Sequence, residues 1–401
     1  MRDWLYADSP TPIRMFAPEF SPVSTSSRDL LFVSHDLTWS GAPIILLHAA
    51  KWCRERGVFV AIMSPEDGPL REKFVEAGVP VIVDPLVTTG HESFTNFARS
   101  FDCLVASTIF GAPAIAAAQR KAIPHIWWIH EGLVGEHYLR RDTKLRTTVS
   151  LADLIVTPDT HSSLIYQPFA RRPIRRLLYG IPDTAHKFGP LPARKAGPPR
   201  FLLLGTIEHR KGQEIFLEAL RKLPRNVLER AHFQIVGRPN DLKITKQIEA
   251  AAAACSSLTV RSYVTHDDAL ALIQDADVMI SASWDETGPL TLIEGMALGK
   301  AILSTSVGAV GEKLVPEEDG LLFKPGDAHG LATAIERLVR EPELLEKLAR
   351  NSRKAYEKYF TLDRFGTEFL QLVEEAISSA QSQPQTAMTS VRAGEMIGSR
   401  R

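Results

Sequence analysis

Gly189-Pro-Leu-Pro-Ala-Arg-Lys-Ala-Gly-Pro-Pro-Arg200, followed at once by Phe201-Leu-Leu-Leu-Gly205, is the stretch that decides the architecture. Four prolines and two glycines without apolar periodicity read as a linker. The four apolar residues behind them read as a buried strand. Downstream, Gln213 to Leu223 has a helical pattern, Phe233-Gln-Ile-Val-Gly237 is a second strand followed by a helix, and Val278-Met-Ile-Ser281 is another strand. Upstream the same alternation has already run once. Leu30-Leu-Phe-Val-Ser34 is a strand, Ile44 to Arg56 a helix closed by Gly57, and Val58 to Met63 a strand. Pro69 to Ala77 (helix) and Val79 to Val83 (strand) follow, with further strands at Cys103–Ser107, His125–Ile129 and Leu154–Thr157. Continuous apolar strands separated by helices are the mark of a parallel sheet covered on both faces. Two such arrays joined by one Pro-rich linker predict an α/β protein of two Rossmann-like domains. Ligands of such sheets bind at the carboxyl ends of the strands, so the site is expected in the cleft between the domains.

Composition narrows the classes. The 401 residues carry 47 Lys and Arg against 47 Asp and Glu, a formal net charge of zero, which argues against a dedicated nucleic-acid binder. Cys53, Cys103 and Cys255 are odd in number and lack CxxC spacing, so neither a disulfide framework nor a zinc site is indicated, and a reducing, cytoplasmic setting is expected. No apolar run approaches the roughly 20 residues that span a bilayer, and the first residues lack a signal-peptide apolar region. Residues 1–28 are rich in Pro and Ser and bury little unless they lie on another surface. The end of the chain, rich in Ser, Gln, Thr and Arg, reads as a disordered tail.

The segment with the most chemistry is Ser281-Ala-Ser-Trp-Asp-Glu-Thr-Gly-Pro-Leu-Thr-Leu-Ile-Glu-Gly-Met-Ala-Leu-Gly-Lys300. A strand ends near Ser283, a loop carries Glu286, and a helix begins with Pro289 at or near its first position. The amides of residues 288–291 then form a helix N-terminus, a ready anion site. Glu286 stands beside it and Glu294 projects from the second helical turn. An anion site between two acceptors suits a diphosphate with hydroxyls on either side. A plain turn followed by a solvated helical glutamate fits the residues equally well. Gly205-Thr-Ile-Glu-His-Arg-Lys-Gly212 lies between a strand and a helix, where Arg210 and Lys211 reach a diphosphate or form a solvated basic turn. His130 closes the strand Ile126-Trp-Trp-Ile-His130, and Gly41 sits in the first strand-to-helix loop, Trp39-Ser-Gly-Ala-Pro43. Asp275-Ala-Asp277 has D-x-D spacing but precedes its strand, which favours a helix-end carboxylate pair over a metal site. Two basic clusters, Arg140-Arg141 with Lys144 and Arg146, and Arg171-Arg172 with Arg175-Arg176, are solvated faces or meet anionic lipid. No P-loop, G-x-S-x-G or H-E-x-x-H is present.

The segment from Glu286 to Glu294 resembles the E-x7-E motif of retaining GT4 glycosyltransferases of GT-B fold. Ser306-Val-Gly-Ala-Val-Gly-Glu312 and Asp319-Gly-Leu-Leu-Phe-Lys-Pro-Gly326 resemble the family's next two loops, and the resemblance runs from about residue 30 to 378. It implies an acceptor-side domain over 29–185, a linker over 186–200 and a nucleotide-sugar domain over 201–360. A helix over 361–378 crosses back to the first domain, and the tail is 379–401. By the same resemblance Glu286 lies against the transferred sugar and Glu294 binds the ribose. Gly288, the neighbours of Pro289 and Leu290 hold sugar or diphosphate, Arg210 and Lys211 meet the diphosphate, and His130 contacts the transferred sugar. Gly41 is expected to approach the donor. The expected activity is transfer of a sugar, with retention and without a metal or other cofactor, to a glycan or lipid-linked glycan of the cell envelope. It would take place in the cytoplasm or at the cytoplasmic face of the membrane. Thr206 stands where many members have Arg, and Ser40-Gly41 replaces the usual pair of small glycines; these departures leave a catalytically silent binding subunit as the alternative.

Overall fold

The computed structural model describes residues 13–18, 28–188 and 197–381. The linker residues 189–196 and the tail from 382 lie outside them.

The N-terminal sheet has eight strands: β1 (Arg14–Phe16), β2 (Asp29–Val33), β3 (Phe59–Ser64), β4 (Val81–Val83), β5 (Cys103–Ser107), β6 (His125–Trp128), β7 (Leu154–Thr157) and β8 (Arg175–Arg176). Their order is β1-β4-β3-β2-β5-β6-β7-β8, and every pairing except β1 with β4 is parallel. Helices α1 (Gly41–Glu55), α2 (Arg71–Glu76), α3 (Glu92–Ala98), α4 (Ala112–Arg120), α5 (Leu133–Arg141), α6 (Thr143–Leu151) and α7 (Thr160–Tyr166) connect them. The C-terminal sheet contains β9 (Arg200–Leu204), β10 (His232–Val236), β11 (Leu258–Arg261), β12 (Val278–Ser281), β13 (Ala301–Thr305) and β14 (Leu321–Phe323). Its order is β11-β10-β9-β12-β13-β14, parallel throughout. Its helices are α8 (Gln213–Lys222), α9 (Arg225–Leu228), α10 (Leu242–Ala254), α11 (His266–Asp275), α12 (Leu290–Ala297), α13 (Gly308–Lys313), α14 (Ala328–Arg340) and α15 (Pro342–Tyr359). A last helix, α16 (Leu362–Gln381), returns to the first sheet.

Part of the N-terminal extension does lie on another surface: β1 adds an antiparallel strand at the sheet edge, where pairing with β4 satisfies its backbone. One expectation is corrected here. The last helix runs to Gln381, past the expected 378, although its buried residues end at Ile377; no Gly or Pro interrupts the sequence between Ile377 and Pro384. The D-x-D carboxylates do lie at a helix end. Asp275 pairs with Arg200, and Asp277 accepts the Arg200 amide.

The helix α16 fixes the floor of the cleft. Phe365 and Phe369 lie 5.7 and 5.9 Å from the ring of Trp128, and Phe369 meets Phe32 edge-on. Trp128 ends β6, two residues before His130. On the other side of α16, the buried Trp52 of α1 donates its indole N–H to Asp363 at 2.9 Å, with the Arg56 guanidinium 3.8 Å above the ring. Burial of Trp52, rather than its polar partner, holds this contact: the Asp363 side chain is 81% exposed, and exposed pairs contribute at most about 1 kcal/mol. Trp52→Ala is therefore expected to destabilise by about 3–5 kcal/mol and Asp363→Asn by less than about 1 kcal/mol, read as urea midpoints.

Candidate active site

The carboxyl ends of β9 and β12 bring together the two loops that the sequence singled out. After β9 the chain makes a single 3-10 turn (His209–Lys211) and enters α8 through Gly212, whose φ is +66°. A Cβ there would lie 2.0 Å from the carbonyl oxygen of Ala282, so this crossing accepts only glycine. The loop is stitched to its neighbour: the Trp284 amide donates to the Arg210 carbonyl (2.8 Å) and the Arg210 guanidinium to the Asp285 carbonyl (2.9 Å).

Glu286 is buried between them. Its Oε1 accepts from Lys211 Nζ at 2.5 Å and from the Ser283 hydroxyl at 2.9 Å, and Arg210 lies 3.6 Å from Oε2. Burial pushes its carboxyl up, but Lys211 and Arg210 outweigh burial and hold it below the usual glutamate value. Arg210 also pairs with Glu208 at 2.9 Å. The two cations expected at a diphosphate are thus engaged with carboxylates of the chain, with Lys211 still 22% exposed.

The helix α12 starts one residue later than expected. Pro289 is the cap, with an extended ψ of 97°, and Leu290 is the first helical residue. A proline cap offers no amide of its own, so Gly288, Leu290 and the next residues supply the N–H groups. Gly288 has a second reason to lack a side chain: a Cβ would lie 2.3 Å from the ring of Tyr179, which arrives from the N-terminal sheet. Glu294, on the second turn as expected, accepts from His266 Nε2 at 2.8 Å. The hydrogen bond to Glu294 raises the His266 pKa against the opposing effect of burial. His266 in turn stacks on Trp39 across the cleft, ring centroids 6.1 Å apart. This contact brings the Trp39–Pro43 loop, with Gly41 at the start of α1, to the Glu294 side. A Cβ on Gly41 would meet nothing within 4 Å, so no protein neighbour demands glycine there.

His130 faces this constellation from the N-terminal domain. Its carbonyl accepts from the Thr287 hydroxyl (2.9 Å), and its Nδ1 lies 2.5 Å from the Tyr179 hydroxyl. Its other nitrogen, Nε2, is buried without a hydrogen-bond partner among the described residues. Burial, with His35 adding to it, pushes its pKa down to about 3, so the ring is neutral at ordinary pH. Next to it, burial pushes Glu131 up to about 7 although the amides of Ile109 and His130 favour the carboxylate. The domains are clasped around these groups: Asp285 accepts from the Leu133 amide at the start of α5 (3.2 Å), and Glu312 accepts from the Thr160 amide and hydroxyl (2.7 and 2.9 Å).

The structure therefore gathers Glu286, Lys211, Arg210, Gly288, Pro289, Leu290 and His130 at one place, and Glu294 with the Gly41 loop beside it. Sequence reasoning missed Tyr179, Ser283, Asp285 and His266. The last two carried a usable signal, being respectively next to Glu286 and at the start of a helix following a strand. Tyr179 carried none. Of the basic clusters, Arg175 pairs with Glu375 (2.5 Å), Arg176 with Thr160 and Glu312 (2.6 and 3.6 Å), and Arg172 with the Asp153 carbonyl. Arg140, Arg141 and Lys144 remain exposed. No described helix is long and apolar enough to cross a membrane, and no described group of three His, Cys, Asp or Glu is placed to hold a metal ion.

Two sheets of this topology facing a cleft define the GT-B class of sugar-transferring enzymes, and comparison with known proteins agrees. Residues 26–163 match the model for glycosyl-transferase family 4 and residues 191–355 that for glycosyl transferases group 1. The chain belongs to this glycosyltransferase family and is a transferase. It is 25% identical over 287 residues to a glycogen synthase of Mycobacterium tuberculosis, covering 68% of each chain. It is 27% identical over 202 residues to the D-rhamnosyltransferase WbpZ of Pseudomonas aeruginosa, covering 48% of this chain and 50% of that one. Its fold is that of Anabaena Alr3699/HepE, solved with UDP (TM-score 0.73, 18% identity, 86% of this chain and 99% of that one). Sucrose-phosphate synthase of Thermosynechococcus elongatus is similar (TM-score 0.68, 18% identity, 88% and 100%).

The Glu286–Lys211 pair makes a pH-dependent contribution. A carboxyl held below its unfolded value of 4.5 stabilises the fold fully above that pH and loses the contribution as pH falls through the depressed value. Lys211→Met is expected to cost near the lower end of about 3–5 kcal/mol at neutral pH, since Arg210 still faces the carboxylate. The gap to the wild type should close in acid below the depressed value. Urea midpoints of both proteins across that range check it.

Proposed function

We propose that the chain is a retaining, metal-independent glycosyltransferase that moves a sugar from a nucleotide-sugar to a glycan or lipid-linked glycan of the cell envelope. The donor binds mainly to the C-terminal domain and the acceptor to the N-terminal one. The observation that carries this reading is the meeting, across the cleft, of a buried Glu286–Lys211–Arg210 cluster with the unpartnered Nε2 of His130.

In this reading Lys211, Arg210 and the first amides of α12 take up the negative charge that develops on the departing nucleoside diphosphate. Prearranged donors of this kind do so without reorganising at the moment of bond cleavage. Lys211 has three N–H donors, so it can keep Glu286 and still reach a phosphate oxygen. Glu286 holds the cations in place and touches the transferred sugar. No covalent nucleophile role is assigned to it: Oε1 accepts from Lys211 and Ser283, and Oε2 faces Arg210. Glu294 accepts the ribose hydroxyls, taking up a ligand where His266 now bonds it. Closure of the domains around the donor keeps water from intercepting the activated sugar.

UDP is the first nucleotide to test, because HepE was solved with UDP and with UDP-glucose. At 100 times its dissociation constant, UDP should stabilise the chain by about 2.7 kcal/mol in a thermal-shift assay, equally with and without chelator. GDP, ADP and CMP are the comparisons. Glu286→Gln should abolish sugar transfer with the fold intact. No shift from any nucleotide would instead favour a silent binding subunit, and loss of the shift in chelator would overturn metal independence.

Contact with the cytoplasmic face of a membrane belongs to the same reading. Exposed Leu133, Val134 and Tyr138 on α5 sit beside Arg140, Arg141 and Lys144, an apolar turn followed by a cationic one. Each basic side chain near an anionic surface contributes about 1 kcal/mol. The wild type should float with vesicles of anionic lipid and not with zwitterionic ones, and R140E/R141E/K144E should abolish flotation. Equal recovery of both proteins would remove the membrane from the reading.

A further inference from the structure

Tyr179 is the buried residue in closest contact with His130, and neither composition nor motif points to it. Its ring sits against Gly288 on one side and Trp128 on another, ring centroids 6.3 Å apart in the second case. Its backbone is pinned from behind, where Arg364 of α16 donates to the carbonyls of Leu178 (2.7 Å) and Tyr179 (3.2 Å). The hydroxyl therefore has little freedom, and it lies 2.5 Å from His130 Nδ1.

One proton lies between that phenol oxygen and that ring nitrogen. The Thr287 hydroxyl, which also bonds the Tyr179 side chain, gives its hydrogen to the His130 carbonyl, and as an acceptor it is a far weaker base than an imidazole nitrogen. A phenol is a much stronger acid than the N–H of a neutral imidazole, so the tyrosine is the donor and Nδ1 the acceptor. The remaining ring proton then resides on Nε2, the nitrogen that is buried with no partner among the described residues. A buried N–H without an acceptor costs about 1–3 kcal/mol, and a ligand oxygen placed there removes the cost.

We infer that Tyr179 is a positioning residue that holds His130 as the Nε2–H tautomer, so that the ring presents one N–H donor to a hydroxyl oxygen of the transferred sugar. The inference rests on the reading of His130 as a donor-sugar contact, but the tautomer can be measured without any substrate. Burial of both groups supports it, keeping the imidazole neutral and the phenol protonated. His35 also disfavours an imidazolium, and the Glu131 carboxyl is engaged with the His130 amide.

The test is two-bond 1H–15N correlation on the full chain labelled at histidine, with the His130 signal assigned by its loss in His130→Gln. The expected spectrum has a protonated Nε2 and an unprotonated Nδ1, and in Tyr179→Phe this gives way to mixed tautomers in a chain that still folds. A protonated Nδ1 in the wild type, or an unaltered tautomer in Tyr179→Phe, overturns the inference. With a donor in hand, Tyr179→Phe should lower kcat roughly ten-fold and leave the donor KM nearly unchanged. His130→Gln, whose amide nitrogen falls near Nε2, should retain more activity than His130→Asn, whose amide falls near Nδ1; the reverse order overturns the inference. Should His130→Ala transfer sugar at the wild-type rate while the tautomer is as expected, the role of His130 fails and the action of Tyr179 on the ring stands.

Discussion

A carboxylate taken out of water must be paired, and most of the cleft is arranged around that requirement at Glu286. Lys211 and Ser283 share one oxygen and Arg210 faces the other. Two loops from neighbouring strands must then lie within a side chain's length of each other. Gly212 permits this by crossing against the Ala282 carbonyl, and Arg210 bridges to the Asp285 backbone. Isolated surface pairs are worth little because water competes for them. Here the carboxylate is shielded, so loss of Lys211 leaves a buried charge with Arg210 alone facing it. The same shielding makes the cluster useful to a phosphate oxygen, since electrostatic interactions strengthen where solvent is excluded.

The second constraint comes from α16. A chain that folds its C-terminal domain and then sends a helix back to the first sheet ties the two bodies together through packing. Trp128 is the point of contact, with Phe365 and Phe369 against its ring, and two residues on from it the chain presents His130. The clasp at Thr287, Asp285 and Glu312 is polar and lies at the cleft itself. The packing of α16 on the first sheet is apolar and the contacts across the cleft are polar.

The candidate site was legible where a residue type is demanded by backbone chemistry. The helix start at Pro289 and Leu290, the basic turn at Arg210 and Lys211 and the strand-end position of His130 follow from local signals, and all three meet in the structure. Pro289 sits at the cap and Leu290 opens the helix, within the one or two residues by which helix boundaries vary. What each side chain touches was another matter. Arg210 and Lys211 read as groups waiting for a ligand, yet both are held by Glu208 and Glu286. Gly41 read as a glycine that lets a ligand approach, and no protein atom lies within 4 Å of where its Cβ would be.

The sequence by itself determined two parallel sheets, the linker between them and the loops that carry chemistry. Strand runs, proline clusters and helix starts are local properties, and the carboxyl ends of parallel strands are the only place for those loops to gather. Only the tertiary structure decided that Tyr179 lies against His130, that His266 holds Glu294 and that Trp39 reaches His266 from the other domain. These partners are separated by 49, 28 and 227 residues. The first two contacts depend on how loops and helices gather at the carboxyl edge of one sheet, and the third on how the two sheets are set against each other, which no local period encodes.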